Sequence, residues 1–402
     1  MTKASVTILA LALMTHGRAS PTASFRAAAP VRFAAHEIAT GLTGGYQVIA
    51  TDLNRDGKPD LVVVSELPDL VWFENPSWTR HVLARGLPDV INVAAADLDG
   101  DGIPEIAVAS GFSTQPDQSS GIIGILTHGA DPTQSWTMRE IDRNPASHRL
   151  RWYVDRDGQR WLMDAPLAAA TAKPPNYDGA TPIYAYRAPA WKREVVASEE
   201  FGVIHAIEPI HATFCDACLL TAGFAGVHRY EHANEAWTHT AIAAGNPARV
   251  PNGGSSEIAV GRLSRATSAN GRASSDDLFL ATIEPWHGNQ VVIYRRSASG
   301  SFARQVIDTT VVDGHTLVTA DFDGDGADEV IVAQRGGSHS VWMYTNGASG
   351  AWTRTTVDDG GMAGAGCTTV DINGDSRIDI ACVGTATANL KWYENLGPAR
   401  RD

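Results

Sequence analysis

The sequence predicts an all-β fold, a seven-bladed β-propeller whose ring is closed by an N-terminal outer strand pairing with the last blade. Three observations predict it: a strand, acidic loop, strand unit recurs along the chain; two more strand-like segments follow each unit; and the last unit lacks a fourth strand while the N-terminus carries a spare one.

The first two strands are plainest in "VIATDLNRDGKPDLVVVS" (48–65), "VAAADLDGDGIPEIAVAS" (93–110), "LVTADFDGDGADEVIVAQ" (317–334) and "CTTVDINGDSRIDIACVG" (367–384). Three degenerate copies share the frame: "LRWYVDRDGQRWLMDAP" (150–166), "AIEPIHATFCDACLLTAG" (206–223), and "IAVGRL" with "DDLFLATIE", where a polar insertion, Ser264 to Ser275, replaces the loop. An aromatic strand and an outer strand follow, as in "LVWFEN" (70–75) with "WTRHVL" (78–83) and "VWMYTN" (341–346) with "WTRTTV" (352–357). The seventh unit stops at "LKWYEN" (390–395). "FAAHEIATGLTGGYQVIATD" (33–52) aligns with "WTRHVLARGLPDVINVAAAD" (78–97), so residues 33–38 supply the missing strand and protect the sheet edges. The expected organisation is an export signal at 1–19, a linker at 20–32, the propeller at 33–396 and a tail at 397–402.

Lys3, the apolar run Val6 to Met14 and the small residues Gly17 and Ala19 are the pattern of a secretory signal, too short to span a bilayer. The expected location is secreted or periplasmic, with no later membrane span. A net charge of −13 without a basic stripe argues against nucleic acid as a partner. The four cysteines are Cys215 and Cys218 in "CDAC", which in an exported chain can close a small loop, and Cys367 and Cys382 on strands expected to pair.

The intact loops follow D-x-[DN]-x-D-G-x-x-[DE], with Ser376 replacing Gly in the last. Asp52, Asn54, Asp56 and Asp60 form the first; Asp97, Asp99, Asp101 and Glu105 the second; Asp321, Asp323, Asp325 and Glu329 the third; Asp371, Asn373, Asp375 and Asp379 the fourth. Closely spaced oxygen donors around a tight turn suit Ca²⁺ or Mg²⁺ in a structural role, and they equally suit self-capped Asx turns without metal. All lie at one end of the ring, so chemistry is expected at the other.

Counting six residues back from the first loop position gives the start of each innermost strand: Tyr46, Ile91, Ser147, His205, Ser255, His315 and Ala365. The turn "IEPWHG" of blade five projects towards the same funnel. His205, His287 and His315 thus come from adjacent blades four, five and six, a set suited to a catalytic zinc with an open position. Glu284 is a fourth ligand or a base. Glu208 and His148 are further base candidates, Tyr46 is a proton donor or a rim residue, and Arg335 or Tyr46 is a candidate to assist departure of hydroxide. Trp286 is a stacking platform for a sugar or ordinary packing; Arg149 and Arg151 contact substrate or form ion pairs between blades.

The motifs "SHRLRW", "HAIEP", "GFAGVHRYE", "AGNPA", "GSSEIAVGRL", "ATIEPWHGNQVVIY", "DGHTLVTADFDGDG" and "ATANLKWYEN" resemble the propeller domain of the fungal aldos-2-ulose dehydratases and related 1,5-anhydro-D-fructose dehydratases, on a background similar to FG-GAP/VCBS calcium-loop propellers. The resemblance covers nearly all of 33–396. It implies a zinc at the bottom of the propeller cleft that acts as Lewis acid while a keto-sugar loses water through an enolate. Family members with added cupin domains carry out a later isomerisation, so dehydration alone is expected here. Other readings are a polysaccharide lyase, which calls for a basic groove built from residues such as Arg149, Arg151, Arg229 and Arg335, and a non-catalytic calcium propeller that binds glycans or proteins.

Overall fold

The computed structural model describes residues 30–212, 215–263, 277–297, 299–347 and 349–399. The export signal, most of the linker and the insertion in blade five lie outside them. The described residues form seven four-stranded antiparallel sheets, each with its strands in sequence order except the last. There Val31–Thr40 pairs with Asn389–Pro398, so the N-terminus completes blade seven. The closing strand begins two residues before the expected boundary, and the final strand runs through Gly397 and Pro398 of the expected tail.

Second strands such as Asp60–Val64 and Glu105–Ser110 are buried along their whole length because each faces neighbouring blades on both sides. The core is accordingly divided by blade interfaces. Trp72, Val62 and Leu83 of blade one pack against Ile106, Val108 and Leu126 of blade two; Phe279 and Ile293 of blade five pack against Trp342 and Tyr344 of blade six; Val383 and Leu390 of blade seven pack against Val63 and Val71 of blade one. Burying a side chain the size of Trp72 contributes about 2–3 kcal/mol.

Tyrosines at one repeat position latch blades together. Tyr230 donates to Glu200 of blade three at 2.5 Å, Tyr344 to Asp308 of blade five at 2.8 Å, and Tyr393 to Asp358 of blade six at 2.9 Å. Cys367 and Cys382, directly opposite on paired strands, are disulfide-bonded, as are Cys215 and Cys218. No helix among the described residues is long and apolar enough to cross a membrane.

The acidic loops are ordered by their own carboxylates. Asp97 accepts from the N–H groups of Gly100 and Gly102, Asp99 from Asp101, and Asp101 from Ile103, a run of Asx turns. Donor atoms of Asp97, Asp99 and Asp101, and of Asp321, Asp323 and Asp325, lie within 4.8 Å of one another. The ninth-position carboxylates also turn inward to backbone N–H groups: Asp60 to Leu53 and Asn75, Glu105 to Leu98, Glu329 to Phe322, and Asp379 to Ile372 and Asn395.

Candidate active site

The innermost strands of blades three, four, six and seven each break register at one residue near their start. Ser147 pairs with Pro166 and Arg149 with Ala165, leaving His148 extra; His205, His315 and Ala365 are the extra residues in the other three. A bulge of this kind bends the strand and re-aims its side chain. It turns three histidines, at the same repeat position, towards the axis. His287 joins them from the blade-five turn, with φ of 50° in the left-handed region.

His205, His287 and His315 converge. Their ring centroids are 4.9, 5.1 and 5.1 Å apart, and one nitrogen from each lies within 4.8 Å of the others. His205 Nδ1 donates to Glu257 Oε1 at 2.9 Å, and His315 Nδ1 donates to the Ala365 carbonyl at 2.6 Å. Both rings thereby present an unprotonated Nε2. His315 Nε2 is buried with no partner among the described residues. His205 Nε2 faces His287 Nε2 at 3.1 Å, close to the ~3.3 Å between two nitrogens of a tetrahedral zinc with bonds near 2.0 Å. His287 Nδ1 meets Arg335 Nη2 at 3.1 Å, and Arg335 is fixed by two bonds to Asp313, at 2.9 and 3.1 Å. Burial, and then the charge of Arg149 or Arg335, hold His205 and His315 well below the usual imidazole range, and burial with Arg335 lowers His287 to about 4. These are neutral imidazoles, the form that ligates metal. His205 and His315 each direct a bare Nε2 with a carboxylate or a carbonyl behind it, and His287, whose Nδ1 accepts from Arg335, carries its proton on Nε2, which a metal would displace; on those terms the set fits a zinc ion.

Against this set lies a second one. Tyr46, whose ring is 5.0 Å from that of His315, has its hydroxyl 2.8 Å from His148 Nε2 and accepts from Arg149 Nη1 at 3.1 Å. Arg149 also donates to His148 Nε2 at 3.0 Å and to Glu257 at 3.3 Å. Glu257 therefore joins the imidazole cluster to the Tyr46, His148, Arg149 group. Sequence reasoning missed it, although a lone carboxylate in the apolar strand start "SSEIAVG" was a signal.

Several expected roles are corrected. Glu284 is completely buried and saturated: Ser255, Thr282 and Tyr294 donate to Oε1 at 3.2, 2.9 and 2.6 Å, and Arg304 grips Oε2 at 2.7 and 2.9 Å. A carboxylate with five donors is a poor base, so Glu284 is a strut of blade five. Trp286 packs edge-on against Phe224 and Tyr177, centroids 5.6 and 5.7 Å away, rather than presenting a free face. Arg335 orients His287. Arg149 is 4% exposed, Arg229 pairs with Glu231 at 3.1 Å and Arg335 with Asp313, so these arginines make no basic groove for a polymer. Arg151 and Glu208 line the central channel below the cluster.

Fold and site together define a seven-bladed propeller of acidic-loop repeats that holds a histidine cluster, buried at His205 and His315 and partly exposed at His287, beside a Tyr–His–Arg group. Residues 52–108 and 321–382 match the FG-GAP-like repeat, and residues 120–297 match the β-propeller domain of aldos-2-ulose dehydratase. The chain is a propeller related to that domain. Aldos-2-ulose dehydratase of Phanerodontia chrysosporium is 26% identical over 249 residues, which are 54% of this chain and 26% of the relative, so the chain spans about a quarter of the relative's length. Solved structures share the fold alone: BBS1N in complex with ARL6DN has a TM-score of 0.57 at 13% identity over 92% of this chain and 98% of that one. A chain of the mitotic checkpoint complex has a TM-score of 0.56 at 11% identity over 94% and 98%.

Proposed function

We propose that this chain is a hydro-lyase that removes water from a keto-sugar such as 1,5-anhydro-D-fructose, with zinc held by His205, His287 and His315. The observation that carries the reading is the juxtaposition of three neutral imidazoles, two of them fixed in the tautomer that bares Nε2, with the Tyr46, His148, Arg149 group. The relationship to a dehydratase propeller supports it.

Zinc bound there supplies a Lewis acid for a substrate carbonyl. The chain's own residues handle the proton. Burial, followed by the charge of Arg149, holds His148 well below the usual imidazole range, so it stands neutral with Nε2 2.8 Å from the Tyr46 hydroxyl. Tyr46 passes its hydroxyl proton to His148 Nε2, and Arg149 holds the phenolate oxygen that results. That oxygen removes the proton on the carbon beside the carbonyl. As the hydroxyl on the next carbon departs, the same pair returns a proton to it, and one water is released. Glu257 anchors both halves of the site.

Calcium or magnesium in the acidic loops would have a structural role, supported by the convergence of their oxygens. Two disulfides support a location outside the cytosol, secreted or periplasmic.

The test is direct. Purified protein given 1,5-anhydro-D-fructose should develop the ultraviolet absorbance of a conjugated enone with zinc and lose it with chelator. Tyr46→Phe should lower kcat by ~10²-fold or more and leave the metal in place. Wild-type protein that produces no enone from keto-sugars at any zinc level would leave a non-catalytic propeller.

A further inference from the structure

The central channel holds two cavities, of about 740 and 520 Å³, that share Arg151, Glu208 and Glu257 in their walls. The smaller reaches Tyr46, Arg149 and His315 of the site. The larger runs to His211, Asp216 and Arg262, exposed residues at the end of the ring that carries the acidic loops. At the opposite end, Phe112 stacks on His148 with centroids 5.3 Å apart, and Trp286 lies over His205 at 6.3 Å. Tyr177, Phe224, Leu167 and Val203 fill in around them. Beneath this hydrophobic cap His148 and His205 are 2% and 1% exposed, while the His287 side chain at its edge is 29% exposed.

Two charged groups in the channel wall are not spent on each other. The Glu208 carboxyl makes no hydrogen bond or ion pair with the described residues, although its backbone pairs in the strand with Leu220. Arg151 commits Nη1 to Asn92 Oδ1 and the Leu150 carbonyl, at 3.2 and 2.8 Å, with no partner among the described residues for its other nitrogens. Both are half-buried in the channel wall, where a ligand or water can satisfy their free polar atoms. Burial raises Glu208 to about 7, with Arg151 pulling it back, so near neutral pH its carboxyl both donates and accepts. A hydroxyl does the same. A cation and an acid side by side favour an uncharged, polyhydroxylated ligand over a strongly charged one.

We infer that the substrate reaches the imidazole cluster through the central channel from the acidic-loop end, and that Arg151 and Glu208 form a subsite for the hydroxyls of a neutral sugar or polyol. The route rests on the dehydratase reading; the subsite can be tested without it. Thr369, which lines the outer cavity only, is the place for a plug. Thr369→Trp should lower kcat/KM for 1,5-anhydro-D-fructose at least ~10-fold with zinc content unchanged, and Val312→Trp, at a residue 50% exposed on the opposite face, should leave it within about twofold. The reverse pattern overturns the route. Glu208→Ala and Arg151→Ala should raise KM by ~10-fold with kcat nearly kept, and melting curves confirm that each variant folds. Calorimetry with 1,5-anhydro-D-glucitol, which has no carbonyl to react, separates the two readings. If wild type binds it and Glu208→Ala and Thr369→Trp do not, the subsite stands even where no enone forms. If binding is indifferent to both changes, the subsite is wrong even where enone does form.

Discussion

Each imidazole in the cluster owes its usefulness to what sits behind it. Glu257 accepts from His205 Nδ1 and so dictates which nitrogen faces the axis, whereas Glu284, three residues from His287, is consumed by Arg304 and Tyr294. The two carboxylates should respond differently to substitution. Glu257→Gln is expected to weaken zinc binding by ~10–100-fold, as for other partners of ligating histidines. Glu284→Ala should keep the zinc and lose about 3 kcal/mol of stability, because it strands Arg304 and three hydroxyls. Isothermal titration with zinc and denaturant melts distinguish these outcomes, and zinc loss in Glu284→Ala with full stability would reverse the assignment. The histidines were legible in the sequence because polar rings stood at strand starts where apolar residues were due. The fate of Glu284 was not, because Arg304 lies on the outer strand and its reach across the blade depends on register. Glu257 escaped because its value lies in a contact with blade four, which no local pattern records.

A propeller blade is a poor place for an inward-pointing side chain until its innermost strand is bent, and the bulges at His148, His205 and His315 do this. Strand existence and repeat boundaries could be read from alternation and from the acidic loops. A bulge could not, since one extra residue leaves the apolar pattern almost unchanged. Blade three shows how such a strand start is tied down: Asp164, wholly buried on the second strand, accepts from Asn144 at 2.6 Å and from Ser147 at 2.7 Å, the residue before the bulge. Burial raises Asp164 from 3.8 to about 6. Its folded-state value exceeds its unfolded one, so its contribution to stability is full below about pH 4 and is lost as pH rises through about 6. The melting temperature of Asp164→Asn relative to wild type should therefore become more favourable between pH 4 and 7. A flat or opposite trend would show that Asp164 stays ionised in the folded chain.

At the scale of the molecule, ring closure brings residues separated by more than a hundred positions into contact. His205 and His315 sit one blade apart on either side of blade five, and Tyr46 of blade one reaches His148 of blade three across the axis. The seven-fold repeat and the N-terminal closing strand were visible in the sequence because every copy obeys the same packing. The cap over His148 and His205 and the channel beneath them were invisible, because both are formed by residues that belong to different blades and have no shared pattern. The same separation makes one quantity decisive, the zinc content of the purified protein measured alongside that of His205→Ala. About one zinc per chain in the wild type and essentially none in a folded variant is the predicted result. A wild type that takes up no zinc, or a variant that keeps it, would contradict the assembly of these three blades into one metal site.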